Sequence, residues 1–214
     1  MVTYSEKASQ YVTDLFAKHD KALEWAWEDT AQKGLPAISV QPEEGRFLQF
    51  LVRASGAKKA LEMGTLGGYS GIWIARGLVE GGKLITLEKE PYHAQVAREH
   101  FDVAGLMEKV EIKVGNAHDL LNQLLPEAPF DFVFIDAEKT GYPDYFDWAL
   151  EHTRVGGVIA AHNAFRGGRV LDRSAEDEAT GTMRAFNQRV AAERRVISTI
   201  YPAGDGMVLA VKIA

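Results

Sequence analysis

The stretch that decides the fold runs from Lys59 to Ser70 and reads KALEMGTLGGYS. It opens with a short apolar run typical of a buried strand, and the glycines that follow allow a tight turn into a helix. Similar short runs recur along the chain with helical periods between them. The candidate strands are Lys59–Met63, Lys83–Leu87, Val110–Val114, Phe130–Ile135 and Gly157–Ala161. Strands that alternate with helices predict βαβ units and a parallel sheet.

The end of the chain departs from this alternation. Arg195–Tyr201 and Met207–Ile213 are two strand patterns, and the short segment Pro202–Gly206 separates them. This spacing predicts an antiparallel hairpin. The whole pattern predicts an α/β fold, a doubly wound, seven-stranded, mostly parallel sheet that ends in an antiparallel hairpin. No repeat or linker divides the sequence, so we expect a single domain over residues 1–214.

Two helical segments are expected before the first strand. Apolar residues between Val12 and Trp27 keep roughly helical spacing, and those between Phe47 and Val52 do so after Pro42. The simpler role for these N-terminal helices is to pack on one face of the sheet. The functional alternative is a lid over a ligand at the first strand–helix turn. The sequence leaves both roles open.

The composition narrows the function classes. The net charge is −6 and no block of lysine and arginine stands out, which argues against a large nucleic-acid surface. The absence of cysteine excludes disulfides, a thiolate zinc site and a cysteine nucleophile. No apolar run approaches the roughly 20 residues of a membrane span, and the charged N-terminus does not look like a signal peptide. We therefore expect a cytoplasmic protein without a membrane partner.

The glycine turn after the first candidate strand predicts a ligand site. Its sequence is neither G-x-G-x-x-G, because Leu66 interrupts that pattern, nor a P-loop. A pyrophosphate cradle is therefore not indicated, and the turn suits a ligand without phosphates, such as the amino-acid part of S-adenosylmethionine. The helix N-terminus and the Ser70 hydroxyl could hold its carboxylate, with Glu62 near its ammonium. The alternative is a tight turn that binds nothing.

Glu88 closes the second strand about 20 residues beyond the glycines, the spacing at which an acidic side chain accepts hydrogen bonds from ribose hydroxyls. Nicotinamide-binding folds use the same arrangement, so Glu88 supports a nucleoside ligand without choosing between the two cofactors.

Polar side chains also follow the fourth and fifth candidate strands. Asp136 comes after FVFI, and His162 and Asn163 come after the fifth strand. Ligands bind beyond the carboxyl ends of parallel strands, and neighbouring strands lie about 4.8 Å apart. Carboxylate, imidazole and amide could then meet on one divalent ion and leave positions for a chelating substrate. Each residue alone has a simpler explanation, as a helix cap or a loop start.

These motifs together resemble the cation-dependent O-methyltransferases, the family of catechol and caffeoyl-coenzyme A O-methyltransferases and their small bacterial relatives. The matching segments are VQPEEGRFL at Val40–Leu48, LEMGTLGGYS at Leu61–Ser70, GNAHD at Gly115–Asp119, FIDAEKTGY at Phe134–Tyr142 and the pair His162-Asn163. The resemblance covers nearly the whole chain. It implies metal-dependent methyl transfer from S-adenosylmethionine to a vicinal dihydroxy aromatic small molecule, and commonly a homodimer.

The resemblance also assigns roles to residues. The implied contacts of S-adenosylmethionine are Val40, Glu62, Gly64, Thr65, Ser70, Glu88, Ala117 and Asp136. The implied metal ligands are Asp136 and Asn163, and Lys139 matches the catalytic lysine. The family usually has Asp-Asn where this chain has His162-Asn163. An imidazole in place of a carboxylate removes one negative charge, so the ion is expected to be Mg²⁺ or Mn²⁺, with His162 favouring Mn²⁺, Co²⁺, Ni²⁺ or Zn²⁺.

Methyl transfer needs an oxygen nucleophile, and a free phenol has a pKa near 10. Metal coordination lowers that pKa and orients both oxygens, while Lys139 acts as a general base or holds the developing phenolate by charge. Three alternatives stay open. A nicotinamide-dependent oxidoreductase would share the sheet and Glu88. A relative acting on hydroxylated uridine in tRNA could use Arg166, Arg169 and Arg173. A binding protein could have lost catalysis through the change at His162.

Overall fold

A seven-stranded sheet forms the centre of the structure, a computed structural model that describes residues 5–214. Its strands are β1 (Lys59–Met63), β2 (Lys83–Glu88), β3 (Val110–Val114), β4 (Phe130–Ile135), β5 (Thr153–His162), β6 (Val196–Tyr201) and β7 (Met207–Lys212). The order in the sheet is β3-β2-β1-β4-β5-β7-β6, with β1 to β5 parallel and β7 antiparallel to both of its neighbours. The predicted doubly wound sheet and terminal hairpin are confirmed.

Eight helices surround the sheet in the described part of the chain. They are α1 (Glu6–Phe16), α2 (Lys21–Gln32), α3 (Pro42–Ala54), α4 (Tyr69–Gly77), α5 (Pro91–Val103), α6 (Ala117–Gln123), α7 (Tyr142–His152) and α8 (Glu178–Ala192). Apolar residues of α2 to α5 form one core with one face of the sheet, and those of α6 to α8 form a second core with the other face. The nearly all-apolar strands β4 and β5 lie between the two cores, as expected for a parallel sheet covered on both sides.

Two features differ from the sequence prediction by more than a single residue at a strand end. The first N-terminal helical segment is two helices, because Asp20 interrupts it and caps α2 by accepting a hydrogen bond from Leu23 N at 3.0 Å. Strand β5 begins at Thr153 rather than Gly157, since Gly156 takes a positive φ of 77° and the β4–β5 register shifts there, which keeps the chain in the sheet across an irregularity. Local patterns did not reveal either feature.

The N-terminal helices α2 and α3 pack against one face of the sheet. Leu23 of α2 and Leu48 of α3 are fully buried, whereas α1 has no buried residue. The part of this region that faces the ligand cavity is the linker Ile38–Val40, between α2 and α3. Packing is therefore the observed role of α2 and α3, and any covering of the cavity is limited to that linker.

The sheet register brings the functional ends together. Met63 pairs with Ile135, and Ile135 pairs with Ala161, so β1, β4 and β5 end side by side. The strand order reverses between β1 and β4, which is where open α/β sheets bind ligands.

Candidate active site

A cavity of about 810 Å³ opens at the carboxyl ends of the central strands. Its wall contains most of the residues singled out in the sequence: Val40, Gly64, Thr65, Ser70, Glu88, Ala117, Asp136, Lys139 and Asn163. Two predicted site residues, Glu62 and His162, lie behind the wall and are 0% and 4% exposed. The structure therefore places the proposed cofactor turn and two of the three proposed metal residues, Asp136 and Asn163, on one cavity, with His162 directly behind Asp136.

The glycine turn is pressed against the end of β4. Gly64 has a φ of 98°, and a Cβ there would overlap the carbonyl oxygen of Asp136. Backbone hydrogen bonds join the same segments, from Gly64 N to Leu87 O at 3.0 Å and from Asp136 N to Met63 O at 2.8 Å. Glycine is required at position 64 because a side chain would push the turn away from β4. The close approach fixes the distance between the two halves of the cavity.

Glu62 is buried beneath this turn. Its carboxylate accepts hydrogen bonds from Ser70 Oγ at 2.6 Å and from Thr86 Oγ1 at 2.7 Å. Burial raises the pKa of Glu62 to about 7, although the two hydroxyl donors oppose the shift. Ser70 reaches the cavity wall and Glu62 does not, so the structure gives Glu62 a position one side chain behind the surface. A direct contact between Glu62 and a ligand stays a prediction.

Glu88 lies at the cavity wall with its orientation fixed by the backbone. One oxygen accepts from Leu66 N at 2.7 Å and the other accepts from Glu90 N at 2.9 Å. His93 Nδ1 lies 3.5 Å from the second oxygen. A carboxylate held in this way presents its remaining lone pairs to the cavity, as a ribose-binding acid must.

Asp136 is the charged centre of the opposite wall. Lys139 Nζ lies 3.1 Å from its Oδ1, and His162 Nδ1 lies 3.2 Å from its Oδ2. Burial opposes ionisation of Asp136, but the cationic Lys139 and His162 hold its pKa well below the usual range. Lys139 also donates to Ala137 O at 3.1 Å and to the Tyr142 hydroxyl at 2.7 Å. The ammonium of Lys139 is therefore held beside Asp136 by three oxygen acceptors.

His162 is enclosed between two carboxylates. Its Nδ1 faces Asp136, and its Nε2 lies 3.0 Å from Glu44 Oε1, a side chain that is 1% exposed. Burial lowers the affinity of the imidazole for a second proton, but Asp136 and Glu44 outweigh burial and raise the pKa of His162 to about 10. Asn163 follows with a φ of 59°, and its Nδ2 donates to Asp205 Oδ2 at 2.8 Å.

A family model described as O-methyltransferase matches residues 13–213 of this sequence. The chain belongs to the O-methyltransferase family. It is 46% identical to the catechol O-methyltransferase of Niastella koreensis, with 96% of both sequences covered. It is also 43% identical to the O-methyltransferase of Bacillus cereus, whose crystal structure in complex with SAH superposes with a TM-score of 0.89 and covers 96% of this chain and 97% of that one. The Streptomyces achromogenes enzyme TomG, solved with SAM, is 37% identical, with a TM-score of 0.87 and coverage of 97% and 96%.

Family membership confirms the predicted enzyme class, and the fit of a metal is a separate question. Among residues 5–214 there is no cluster of three His, Cys, Asp or Glu side chains suited to an ion, so a metal site at Asp136 and His162 would need an amide as its third protein ligand. Asn163 supplies one, because its Nδ2 is engaged by Asp205 and no described residue donates to its oxygen. Oδ2 of Asp136 and Nδ1 of His162 are 3.2 Å apart. When two adjacent ligand atoms each lie about 2.2 Å from an octahedral ion, the separation between the two atoms is close to this Oδ2–Nδ1 distance. The spacing of Asp136 and His162 is compatible with two ligands of one divalent ion, and Asn163 offers an amide oxygen at the same end of the sheet.

Two polar partners in this site were not assigned roles from the sequence. Glu44 stands in the first turn of α3, where its Oε2 accepts a hydrogen bond from Gln41 N at 2.8 Å. From the sequence alone, helix capping is a sufficient explanation for a glutamate at this position. Asp205 lies in the β6–β7 turn, where aspartate is common for local reasons. The only available signal was that Glu44 falls within the VQPEEGRFL segment of the family resemblance.

Two side chains near the proposed metal residues differ in their access to the cavity. Arg166 lines the cavity, whereas Tyr142 is completely buried and contacts Lys139. Arg166 and Arg169 share one carboxylate, Asp177, at 3.0 and 2.6 Å. This pairing removes part of the positive charge on which the tRNA alternative depends. Within the described residues, no helix is both long and apolar enough to span a bilayer.

Proposed function

We propose that this O-methyltransferase uses one domain, over residues 1–214, to transfer the methyl group of S-adenosylmethionine to a hydroxyl of a catechol-type aromatic small molecule, with a divalent metal ion. The observation that carries the proposal is the contact between the glycine turn and the end of β4. This contact sets the glycine turn beside Asp136 on one cavity, which supports a cofactor site and a metal site next to each other. The name of the Niastella koreensis relative supports the catechol class.

The cofactor half of the cavity suits the three parts of S-adenosylmethionine. The backbone N–H groups in the first turn of α4, which includes Ser70, offer hydrogen-bond donors for the carboxylate of the methionine moiety, because the Ser70 hydroxyl already donates to Glu62. Glu88 offers a fixed carboxylate for the ribose hydroxyls, and Ala117 lines the part of the wall where the family resemblance puts the adenine. The Bacillus cereus and Streptomyces achromogenes relatives, solved with SAH and SAM, support this assignment.

The acceptor half is built around Asp136, His162 and Asn163, which would hold the metal ion. A bound divalent ion supplies charge that lowers the pKa of a phenol and fixes both catechol oxygens. A nitrogen that binds a metal must give up its proton, so His162 would act as a neutral imidazole with Nε2–H directed at Glu44. Arg166, at the cavity wall, would contact the substituent end of the acceptor.

Lys139 is the proposed catalytic residue. Its ammonium is fixed beside Asp136 at 3.1 Å and 2.7 Å from the Tyr142 hydroxyl, so it needs little rearrangement to meet an acceptor oxygen. There it either removes the proton from that oxygen or stabilises the phenolate by charge. The hydrogen bonds from Lys139 favour the second role, because they hold the side chain as a donor.

The decisive experiment is a methyl-transfer assay with a panel of catechols, their mono-hydroxy analogues and a tRNA transcript, each with and without a chelator. Methylation of catechols that disappears with chelator and returns with added Mg²⁺ or Mn²⁺ would support the proposal. Equal rates on mono-hydroxy compounds, or full activity after extensive chelation, would contradict the catechol–metal mechanism. Binding of NAD but not S-adenosylhomocysteine would restore the oxidoreductase alternative.

We also propose that the protein is a homodimer and that it works in the cytoplasm, the compartment expected from the sequence. Large apolar side chains of α1 and α3 are more than half exposed and form a candidate contact surface: Tyr11, Leu15, Phe16 and Phe50. Light scattering coupled to size exclusion should give a dimer mass, and the double variant Phe16→Ser/Phe50→Ser should give a monomer. A monomeric wild type would exclude the dimer.

A further inference from the structure

Glu44 is a buried carboxylate that the proposed mechanism brings into contact with neither the cofactor, the acceptor nor the metal ion. It is 1% exposed and stands at the start of α3, 118 residues before His162 in sequence. Its two oxygens have separate partners: Oε1 faces His162 Nε2 at 3.0 Å, and Oε2 accepts from Gln41 N at 2.8 Å. The turn between β6 and β7 closes over it, since a Cβ at Gly204 would overlap the Glu44 carboxyl group. The carboxylate therefore has one orientation available.

That orientation decides which imidazole nitrogen can bind an ion. A carboxylate without a proton only accepts hydrogen bonds, so the Nε2 atom that faces Glu44 must carry hydrogen. In a neutral imidazole the free lone pair is then on Nδ1, the atom directed at Asp136. A carboxylate that fixes a metal-bound histidine through its second nitrogen is a common arrangement, and it raises the basicity of the ligand.

Glu44 also bears on the charge of the site. Replacing the family's usual aspartate by His162 removes a negative charge from the ligand set. The Glu44 carboxylate lies directly behind the imidazole. It supplies a negative charge that contacts His162 rather than the ion.

We infer that Glu44 is a positioning residue that makes His162 a metal ligand, by holding Nε2–H and presenting the Nδ1 lone pair to the ion shared with Asp136 and Asn163. The inference rests on the proposed metal-dependent function. It adds a residue from helix α3 to a site otherwise built at strand ends, and it gives a reason why histidine can stand in this position.

The substitution Glu44→Gln tests the inference with little change of shape. A glutamine has one acceptor oxygen, and both Gln41 N and His162 Nε2 need an acceptor at this side chain. We expect Mn²⁺ affinity, measured by electron paramagnetic resonance or calorimetry at one pH, to fall by about 10- to 100-fold. The matched control is Glu43→Gln, a neighbouring glutamate that is also buried but contacts Ser9 and Thr13. The control should keep wild-type affinity.

A double-mutant cycle separates positioning from general effects of charge or folding. In the His162→Asp background there is no imidazole to orient, so Glu44→Gln should change Mn²⁺ affinity less than about twofold. An equal loss in both backgrounds would overturn the inference, as would wild-type affinity in Glu44→Gln. If the wild type itself binds no Mn²⁺, the metal-dependent function fails instead, which is a distinguishable result.

One measurement requires no Glu44 variant, so misfolding cannot obscure it. The ¹⁵N chemical shifts of the His162 ring in the Zn²⁺-loaded wild type, assigned by comparison with His162→Asp, report which nitrogen carries hydrogen. We expect hydrogen on Nε2 and a metal-bound Nδ1. Hydrogen on Nδ1 would overturn the inference.

Discussion

Asp205 fixes the direction in which the amide of Asn163 points. Oδ2 of Asp205 accepts a hydrogen bond from Asn163 Nδ2 at 2.8 Å, and its Oδ1 accepts from Gly167 N at 2.5 Å. The amide nitrogen is thus engaged by the β6–β7 turn, and the amide oxygen is left for the cavity. Oxygen is the atom that a hard cation requires, so Asp205, which is not itself proposed as a metal ligand, decides whether Asn163 can serve as one.

The first prediction concerns Asp205. Asp205→Asn offers only one acceptor to two donors, so the Asn163 amide loses its fixed direction. We expect Mn²⁺ affinity to fall by about tenfold, with S-adenosylhomocysteine affinity unchanged. Calorimetric titration of both ligands measures this, and the exposed Asp119→Asn on α6 serves as control. Unchanged Mn²⁺ affinity in Asp205→Asn would show that Asn163 orients itself without Asp205.

Asp136→Asn should abolish detectable methyl transfer, since it removes the one carboxylate assigned to the ion. It also leaves Lys139 and His162 without their shared counter-charge, so the fold should lose up to about 3 kcal/mol of unfolding free energy. This loss of unfolding free energy is at the low end of the range for breaking a buried ion pair, because the Asp136 side chain is 20% exposed. Urea unfolding gives the stability and a radiolabelled methyl assay gives the rate. A variant with full activity would remove Asp136 from the mechanism.

Lys139→Met should lower kcat by on the order of 10²-fold or more while leaving the affinity for S-adenosylmethionine within about threefold. The reason is that Lys139 contacts the acceptor side of the cavity, through Asp136 and Tyr142. Lys139→Arg separates the two proposed roles. Arginine keeps the charge but does not act as a base at neutral pH, so substantial activity in Lys139→Arg would favour charge stabilisation. Near-normal kcat in Lys139→Met would make Lys139 a structural lysine.

Glu62 links stability to pH in the direction opposite to most acids. Its pKa in the folded ligand-free protein is raised to about 7, above the ordinary 4.5, so the folded state holds the proton more tightly than the unfolded state. The contribution to stability is greatest below pH 4.5 and is lost as pH rises to 7. The unfolding free energy of Glu62→Gln minus that of the wild type should therefore rise by about 2 kcal/mol between pH 5.5 and pH 8.

The same substitution should weaken cofactor binding, since the carboxylate holds the Ser70 hydroxyl at the cavity wall. We expect a higher unfolding midpoint at pH 8 together with a loss of S-adenosylhomocysteine affinity. Urea titrations at several pH values and calorimetry measure the two effects. Parallel stability curves for wild type and variant across this range would rule out the raised pKa of Glu62.

His162→Asp should change the metal ranking. Magnesium prefers an all-oxygen shell, while manganese, cobalt, nickel and zinc accept imidazole readily. We expect wild type to reach half-maximal turnover at lower concentrations of Mn²⁺ or Co²⁺ than of Mg²⁺, and the variant to shift back toward Mg²⁺. The comparison needs metal titrations of both proteins under one set of conditions. An identical ranking in the two proteins would show that His162 is not a ligand.

The sequence by itself determined the features that depend on local pattern. Alternating apolar runs and helical periods predicted all seven strands. The nearly all-apolar strands β4 and β5 were the clearest, because a strand buried on both faces must be apolar along its length. The glycine turn and the polar residues after β4 and β5 followed from the same logic, since parallel strands end at one edge. The motif resemblance then supplied the enzyme class, which family membership confirms.

Only the tertiary structure decided which distant side chains meet. Glu44 reaches His162 across 118 residues and Asp205 reaches Asn163 across 42, and each has an adequate local explanation in its own turn or helix. The break at Asp20 and the early start of β5 were likewise hidden. The physical reason is that spacing along the chain reports which residues share a face or an edge. The partner of a buried polar group depends on how whole layers pack, because the group takes whichever donor or acceptor the neighbouring layer brings within reach.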